Sequence, residues 1–155
     1  MRTATMTLML AALAALVVAP AGASAQGAER YGRWRLQSDA PPPALNIMTY
    51  APYMDGGMRI TVESTNSRGE TSSWGYVTLF DGVFRPVTGR EGTESAVEAL
   101  DSRTTKITTR RDGWISQVIF NRISEDGDRI DNEYRNYAED GTERSVTHAV
   151  YERIR

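Results

Sequence analysis

The chain offers few residues that could carry out chemistry, and their spacing does not match the common types of active site. His148 is the single histidine, and there is no cysteine. No H-x-H, H-E-x-x-H or G-x-S-x-G spacing is present, so the sequence indicates neither a histidine-based metal site nor a hydrolase nucleophile. His148 alternates with Val146 and Val150, which favours a histidine packed in a strand or facing an interior over a catalytic base.

The acidic stretch EDGDRIDNE, residues 125–133, has alternating carboxylates but does not match a calcium loop. An EF-hand loop beginning at Asp126 would need Asp or Asn at its fifth position and Gly at its sixth, where this chain has Ile130 and Asp131. The stretch is therefore typical of a charged hairpin. We predict no metal, no other cofactor and no catalytic residue.

Aromatic side chains on strand-like segments are the remaining candidates, and they indicate binding rather than catalysis. If the strands enclose a cavity, these side chains would line it and hold a small apolar ligand; the alternative is an interior filled by them. Arg122 shares the face of Trp114 and would suit a cavity mouth or the carboxylate of a ligand. The predicted cavity-lining residues are Trp74, Tyr76, Trp114, Phe120, Arg122, Tyr134 and His148.

The elements that must position these residues are antiparallel strands joined by tight turns. Asp-Gly pairs begin at 55, 81, 112, 126 and 140, and they suit hairpins because glycine adopts positive φ without a steric penalty. Between the turns, apolar and polar residues alternate, which indicates strands. We predict about ten strands, at 30–37, 45–51, 57–65, 72–80, 83–88, 95–101, 104–110, 114–123, 128–137 and 143–154.

One of these segments also has the composition of a helical turn. TESAVEAL, residues 93–100, is rich in Ala and Glu, and Ser95 with Glu98 resembles a capping box. Because the flanking segments are all strand-like, we favour a strand here.

Prolines interrupt the strand pattern at two places. Pro41 to Pro43 require an extended connection between the first two strands, which we expect to cross one end of the fold. Pro86 follows the Asp81-Gly82 turn and cannot donate to a strand ladder. It marks a bulge, an edge or the weakest strand pairing, where a closed sheet could open to a ligand.

Several strands carry apolar side chains on both faces, as in SSWGYVTLF at 72–80. An open sheet would leave one face in water, whereas closing the sheet buries that face and removes the edges. The predicted fold class is therefore all-β, a single antiparallel up-and-down meander of about eight to ten strands closed into a barrel. A sandwich of two meander sheets is the second choice.

The first strand, YGRWRLQ, contains Gly32-x-Trp34 and resembles the first strand of the lipocalin, or calycin, superfamily. The resemblance implies a lipocalin-like barrel in which the Trp closes one end and a basic residue of the last strand packs over it. That strand ends VYERIR, so the implied barrel-end residues are Gly32, Trp34 and Arg153, with Arg155 as the alternative basic residue.

Over residues 30–155 the chain is also similar to small uncharacterised bacterial exported proteins of lipocalin-like type. The shared pattern is the Gly-x-Trp strand, a proline-rich connection, a DG-x-x-x-PVTG segment at 81–89, further Asp-Gly hairpins and a terminal Val150-Tyr151 strand. The sequence departs from that group in having arginine where its members have surface lysines. The resemblance implies a fold but does not imply an active site.

The first 25 residues have the features of a secretory signal peptide. A charged start at Arg2 precedes an apolar run, and the segment ends in Ala23-Ser24-Ala25, a small-x-small cleavage signature. The apolar run is shorter than the roughly 20 residues that span a bilayer. We therefore expect a cleaved leader at 1–25, a single domain at 26–155, and a soluble protein in the periplasm or outside the cell.

Composition and charge narrow the class of partner. Removing Arg2 with the leader leaves 17 basic and 20 acidic residues, which argues against nucleic acid because phosphate binding needs a clustered excess of cations. Without cysteine there is no disulfide, no thiolate chemistry and no lipid-bearing residue, so we expect no stable membrane anchor.

The leading hypothesis is an exported, non-catalytic binder of a small hydrophobic or amphipathic molecule. The alternative is an envelope interaction or structural protein whose barrel is filled and whose surface makes the contacts. An enzyme acting through residues at the barrel mouth is the least supported. An interior void on the order of a few hundred cubic ångströms separates the first two.

Overall fold

The computed structural model describes residues 27–155, and the predicted leader at 1–25 lies outside the described residues. Ten strands form in this range, within a few residues of the predicted bounds. TESAVEAL is a strand, as favoured, and the segment around Pro86 forms only two strand residues. The strands are β1 (Gly32–Leu36), β2 (Leu45–Tyr53), β3 (Gly57–Thr65), β4 (Thr71–Thr78), β5 (Arg85–Pro86), β6 (Thr93–Ala99), β7 (Thr104–Arg111), β8 (Trp114–Ile123), β9 (Arg129–Tyr137) and β10 (Glu143–Ile154).

All ten strands belong to one antiparallel sheet in the order β4-β3-β2-β1-β10-β9-β8-β7-β6-β5. Neighbours in the chain pair with each other, and β1 also pairs with β10, so that Trp34 lies opposite Arg153. The sheet curls until its two edges meet, where an isolated bridge joins Gly75 of β4 to Thr88 just after β5. The predicted up-and-down barrel is confirmed, and the sandwich alternative is wrong.

The seam of the barrel lies between β4 and the segment that contains Pro86. Gly75 and Thr88 exchange two backbone hydrogen bonds across it, of 3.0 and 2.8 Å. A Cβ on Gly89 would lie 2.5 Å from the backbone oxygen of Ser73, and the φ of Gly89 is +82°. Glycine therefore lets the two edges approach each other, and the pairing is confined to one short contact. This is the weak pairing that Pro86 predicted.

Apolar side chains fill one end of the barrel. Trp34 and Ile130 are fully buried and Ile123 is 1% exposed, and they pack with interior residues of the neighbouring strands. The proline-rich connection joins β1 to β2 as predicted, through a turn in which the Ala44 amide bonds the Pro41 carbonyl at 3.1 Å. Within residues 27–155 no helix has the length and apolar character needed to cross a membrane.

Candidate ligand-binding cavity

The closed end of the barrel is held by Arg153 and Trp34. The guanidinium carbon of Arg153 lies 4.1 Å from the centre of the Trp34 ring. The same guanidinium donates to the backbone oxygens of Gly127 at 2.8 Å, Tyr31 at 2.7 Å and Glu29 at 2.6 Å. One side chain therefore ties the N-terminal segment and the β8–β9 turn to the barrel end.

The surroundings of the Arg153–Trp34 contact explain why glycine is at position 32 and why Arg153 rather than Arg155 packs over the Trp34 ring. A Cβ on Gly32 would lie 2.8 Å from Nη1 of Arg153, and the φ of Gly32 is +133°. Arg155 instead bonds the carboxylate of Asp128 at the surface. Of the two candidate basic residues, Arg153 is therefore the one that packs over Trp34.

Above this closed end lies an interior cavity of about 200 Å³. Its apolar wall comes from strands β2, β3, β4, β7 and β8 and from the seam. Its polar wall comes mainly from tyrosine hydroxyls, asparagine amides and short hydroxyl side chains. The lining residues are Met48, Tyr50, Ile60, Val62, Trp74, Tyr76, Val87, Arg90, Thr93, Ser95, Ile107, Thr109, Gln117, Ile119, Asn121, Asn132, Tyr134 and Tyr151.

A chain of hydrogen bonds runs along the polar wall. The amide nitrogen of Asn121 donates to the oxygen of Asn132 at 2.7 Å and to the hydroxyl of Tyr50 at 3.3 Å. The amide nitrogen of Asn132 donates to the hydroxyl of Tyr134 at 3.0 Å. Tyr151 donates to the oxygen of Asn46 at 3.2 Å. These groups come from four strands and meet at the interior.

Arg30 lies behind this wall. It is 1% exposed. It donates to the side-chain oxygen of Asn121, to the backbone oxygen of Arg103 at 2.6 Å and to that of Asn121 at 3.5 Å. Its own carbonyl accepts the indole N–H of Trp34 at 2.9 Å. The segment before β1 thus places a guanidinium directly beneath the polar wall of the cavity.

Burial sets the protonation of these groups. It raises the pKa of Tyr50 to about 12, although the charge of Arg30 opposes the shift. Burial also raises the pKa of Tyr76 and that of Tyr151, and coulombic interaction with other tyrosines of the wall adds to both shifts. Burial lowers the pKa of Arg30, yet an arginine stays protonated in proteins. The wall therefore presents neutral phenols with a positive charge behind them.

The mouth of the cavity is framed by an aromatic pair and a cation. The rings of Trp74 and Tyr76 are stacked, with centroids 6.2 Å apart and planes 9° apart. The guanidinium carbon of Arg90 lies 4.0 Å from the centre of the Trp74 ring. Burial lowers the pKa of Arg90, and the neighbouring charge of Arg111 lowers it further. Arg90 therefore adds a cation to the lining of the cavity.

Three of the predicted cavity-lining residues, Trp74, Tyr76 and Tyr134, are on the cavity wall. Phe120, Arg122 and His148 instead share a groove on the outer surface of β8, β9 and β10. Trp114 is half-buried at the start of β8, opposite Arg111, and is not among the cavity-lining residues. The interior placement of these last four residues was wrong.

The reason is the choice of face on β8. Gln117, Ile119 and Asn121 point inward, so the interior face of this strand is partly polar. Val118 and Phe120 are on the outer face, where the guanidinium carbon of Arg135 lies 5.6 Å from the Phe120 ring centre. The more apolar face of β8 is therefore the outer one, which inverts the usual inference from alternation.

Sequence reasoning missed Arg30, Tyr50, Asn121 and Asn132. One signal was available for the two asparagines, because asparagine is depleted in strands and each lies within a predicted strand. No local signal marked Arg30, which precedes β1 and reaches the interior only once the barrel is closed.

The hydrogen-bonding groups on the cavity wall are uncharged amides, phenols and short hydroxyl side chains, apart from Arg90. No histidine or carboxylate lines it among residues 27–155, and its phenols are neutral at physiological pH. No group of three or more His, Asp or Glu residues in the described part of the chain could hold a metal ion. The wall can donate and accept hydrogen bonds around an apolar body.

The fold is an antiparallel up-and-down barrel of the calycin-like type. Solved structures that it resembles include those of the fluorescent protein UnaG. One UnaG mutant superposes with a TM-score of 0.57 at 12% identity, covering 83% of this chain and 98% of that chain. A second mutant gives a TM-score of 0.52 at 14% identity, covering 79% of this chain and 94% of its own.

Wild-type UnaG gives the same TM-score of 0.52 at 14% identity, covering 80% of this chain and 96% of that chain. Identities this low relate the folds alone. No protein-family model and no curated protein sequence matches the chain. The resemblance to small bacterial exported proteins therefore stays a prediction.

Proposed function

We propose that the protein binds a small hydrophobic or amphipathic molecule inside the barrel, without catalysis, after export to the periplasm or the extracellular space. The observation that carries this proposal is the interior cavity of about 200 Å³. Its apolar lining includes Met48, Ile60 and Val62 on β2 and β3, and the asparagine amides line it from β8 and β9. An apolar pocket with a small number of converging polar groups is typical of a site for a small molecule.

The size of the cavity limits the ligand. An apolar cavity of about 150 Å³ holds benzene, whereas drug-sized ligands occupy pockets of roughly 300–1,000 Å³. The cavity therefore suits a molecule of one ring with a short chain, or a short aliphatic chain with a polar end. A void of this kind supports ligand binding over the alternative of a filled barrel.

Two neighbouring residues on β8 allow a direct test. Ile119 lines the cavity, whereas Val118 is on the outer face, and both are half-buried. Ile119→Trp should fill the cavity and abolish binding of phenylbutanol, measured by calorimetry, whereas Val118→Trp should leave binding intact. Equal binding by both variants would place the ligand outside the cavity.

A second experiment asks whether the cell supplies a ligand. Protein purified from the periplasm and the medium of an expressing bacterium should carry a small bound molecule that mass spectrometry detects after denaturation. Ile119→Trp should lack this molecule. Repeated absence from the wild-type protein, together with no thermal shift against a panel of short-chain and single-ring compounds, would rule out the proposal. Retention in the cytosol with the leader uncleaved would rule out export.

A further inference from the structure

The hydrogen-bond chain behind the cavity has a fixed direction, and Arg30 sets it. A guanidinium can only donate, so the Asn121 side-chain atom that faces it must be the oxygen. The amide nitrogen of Asn121 must then face Tyr50 and Asn132, and it donates to both. The oxygen of Asn132 is thereby occupied as an acceptor, which turns its amide nitrogen toward Tyr134.

The chain therefore ends in tyrosine hydroxyls that act as acceptors within it. Tyr50 and Tyr134 each receive an amide hydrogen. The hydroxyl of Tyr134 also bonds that of Tyr151, which itself donates to Asn46, whereas the Tyr50 hydroxyl donates to no acceptor among the residues for which hydrogen bonds are described. Tyr76 lines the same cavity and interacts coulombically with Tyr50, Tyr134 and Arg30. The polar wall thus presents hydroxyl hydrogens toward the interior, and a ligand group that accepts hydrogen bonds fits it.

Charge favours a negative acceptor over a neutral one. Arg30 forms no ion pair with a carboxylate among residues 27–155. Glu29 and Asp101 raise its pKa only from a distance, and its Nε has no hydrogen-bond acceptor in the described structure. A buried charge without a counter-charge is unfavourable, so a negative group on the far side of Asn121 would be stabilised by it.

We propose that the ligand is a small carboxylic acid, bound as its anion with the carboxylate at the hydroxyls of Tyr50 and Tyr76. Arg30 supplies the compensating charge through Asn121 without touching the ligand. The apolar body of the acid lies against Met48, Ile60 and Val62 on β2 and β3. The proposal rests on the proposed binding function and specifies which end of the ligand is recognised and by which charge.

The test compares three molecules that share one apolar body. Phenylbutyrate, phenylbutanol and phenylbutylamine are titrated into the protein by calorimetry at neutral pH. Because hydrogen bonds to a charged group are stronger than those to a neutral one, the acid should bind at least about tenfold more tightly than the alcohol. The amine should bind more weakly than either.

Single hydroxyl deletions locate the effect. Tyr50→Phe and Tyr76→Phe should each weaken binding of phenylbutyrate by about tenfold while changing phenylbutanol much less. Tyr137→Phe is the matched control, because Tyr137 is on β9 with Tyr134 but does not line the cavity. It should change neither affinity. The dispersion of the NMR spectrum of each ligand-free variant checks that it is folded.

The outcomes separate this inference from the proposed function. If the alcohol binds as tightly as the acid, or the amine binds best, the carboxylate assignment is wrong while ligand binding stands. If the tyrosine variants weaken acid and alcohol equally, the hydroxyls do not recognise charge and the assignment is also wrong. If none of the three molecules binds, both the assignment and the binding function fail.

Discussion

Arg153 packs its guanidinium 4.1 Å from the centre of the Trp34 ring while donating hydrogen bonds to three backbone carbonyls. The two residues are directly opposite each other on β10 and β1. The pair therefore joins the first strand to the last and seals the end of the barrel beneath the cavity. It bears on the proposed function, because a cavity that opens at both ends would not retain a small ligand.

Removing the guanidinium of Arg153 should destabilise the barrel. Arg153→Met keeps the aliphatic stem but loses three hydrogen bonds and the cation–π contact, which together contribute roughly 2–4 kcal/mol. Arg155→Met is the control, because that side chain is 80% exposed and its ion pair contributes about 0–1 kcal/mol. Urea unfolding followed by tryptophan fluorescence measures both. Equal losses would contradict the sealing role.

Trp34 should be the most sensitive of the three tryptophans. Trp34→Ala removes a fully buried side chain and should lower the free energy of unfolding by about 3–5 kcal/mol. Trp114→Ala, at a half-buried position on a hairpin end, should have a much smaller effect. A near-neutral Trp34→Ala variant in the same unfolding measurement would refute the barrel-end role that the Gly-x-Trp motif implies.

Opening of the barrel should occur at the seam. The amides of Gly75 and Thr88 bond only each other's carbonyls across a single bridge, whereas those of β2 and β3 belong to long continuous ladders. Hydrogen exchange followed by NMR should show faster exchange at Gly75 and Thr88 than at Met48 and Val62, because few contacts oppose local opening at the seam. Slower exchange at the seam would show that the seam is not where the barrel opens.

The turn before the seam should respond to acid. Bonds from Arg85 and the Val83 amide lower the pKa of Asp81 to about 2 from an ordinary 3.8. Its stabilisation is therefore fully present above pH 4 and is lost as the pH falls through about 2. Because Asp81 is well exposed, the loss should be no more than about 1 kcal/mol. Unfolding free energies of Asp81→Asn should fall less over this pH range than those of the wild type.

The strands could be predicted because their turns and their alternation of apolar and polar residues are written in short stretches of sequence. Closure of the sheet could be predicted because several strands are apolar on both faces. The Asp-Gly turns fix the hairpins, alternation fixes the strands, and Pro86 shows where the ladder must weaken. The site could be predicted only in part, because alternation defines two faces of a strand without saying which one is interior. On β8 the interior face carries Gln117 and Asn121, so the apolar outer face with Phe120 was mistaken for the lining. Arg30 comes to lie behind the cavity wall only when the barrel closes, and no residue pattern around position 30 indicates this.

The direction of the hydrogen-bond chain gives a last prediction. In Asn121→Asp, the new carboxylate would pair with Arg30 and could no longer donate to Tyr50 or Asn132. Asn132 would then turn its amide nitrogen toward the new carboxylate and its oxygen toward Tyr134, so that Tyr50 and Tyr134 become donors within the chain. The cavity would lose its hydroxyl hydrogens and the contribution of Arg30 to its positive potential.

Phenylbutyrate binding to Asn121→Asp should therefore weaken by more than the roughly tenfold expected for loss of one charged hydrogen bond, and phenylbutylamine binding should strengthen. Asn136→Asp is the matched control, because Asn136 is on β9 and bonds Gln117 and Ser145 rather than the chain from Arg30. It adds the same charge to the protein and should leave the order of the three affinities unchanged. Calorimetry gives the affinities, and the side-chain amide resonances of Asn132 report its reversal. If the two variants shift the affinities equally, net charge rather than the direction set by Arg30 decides the preference.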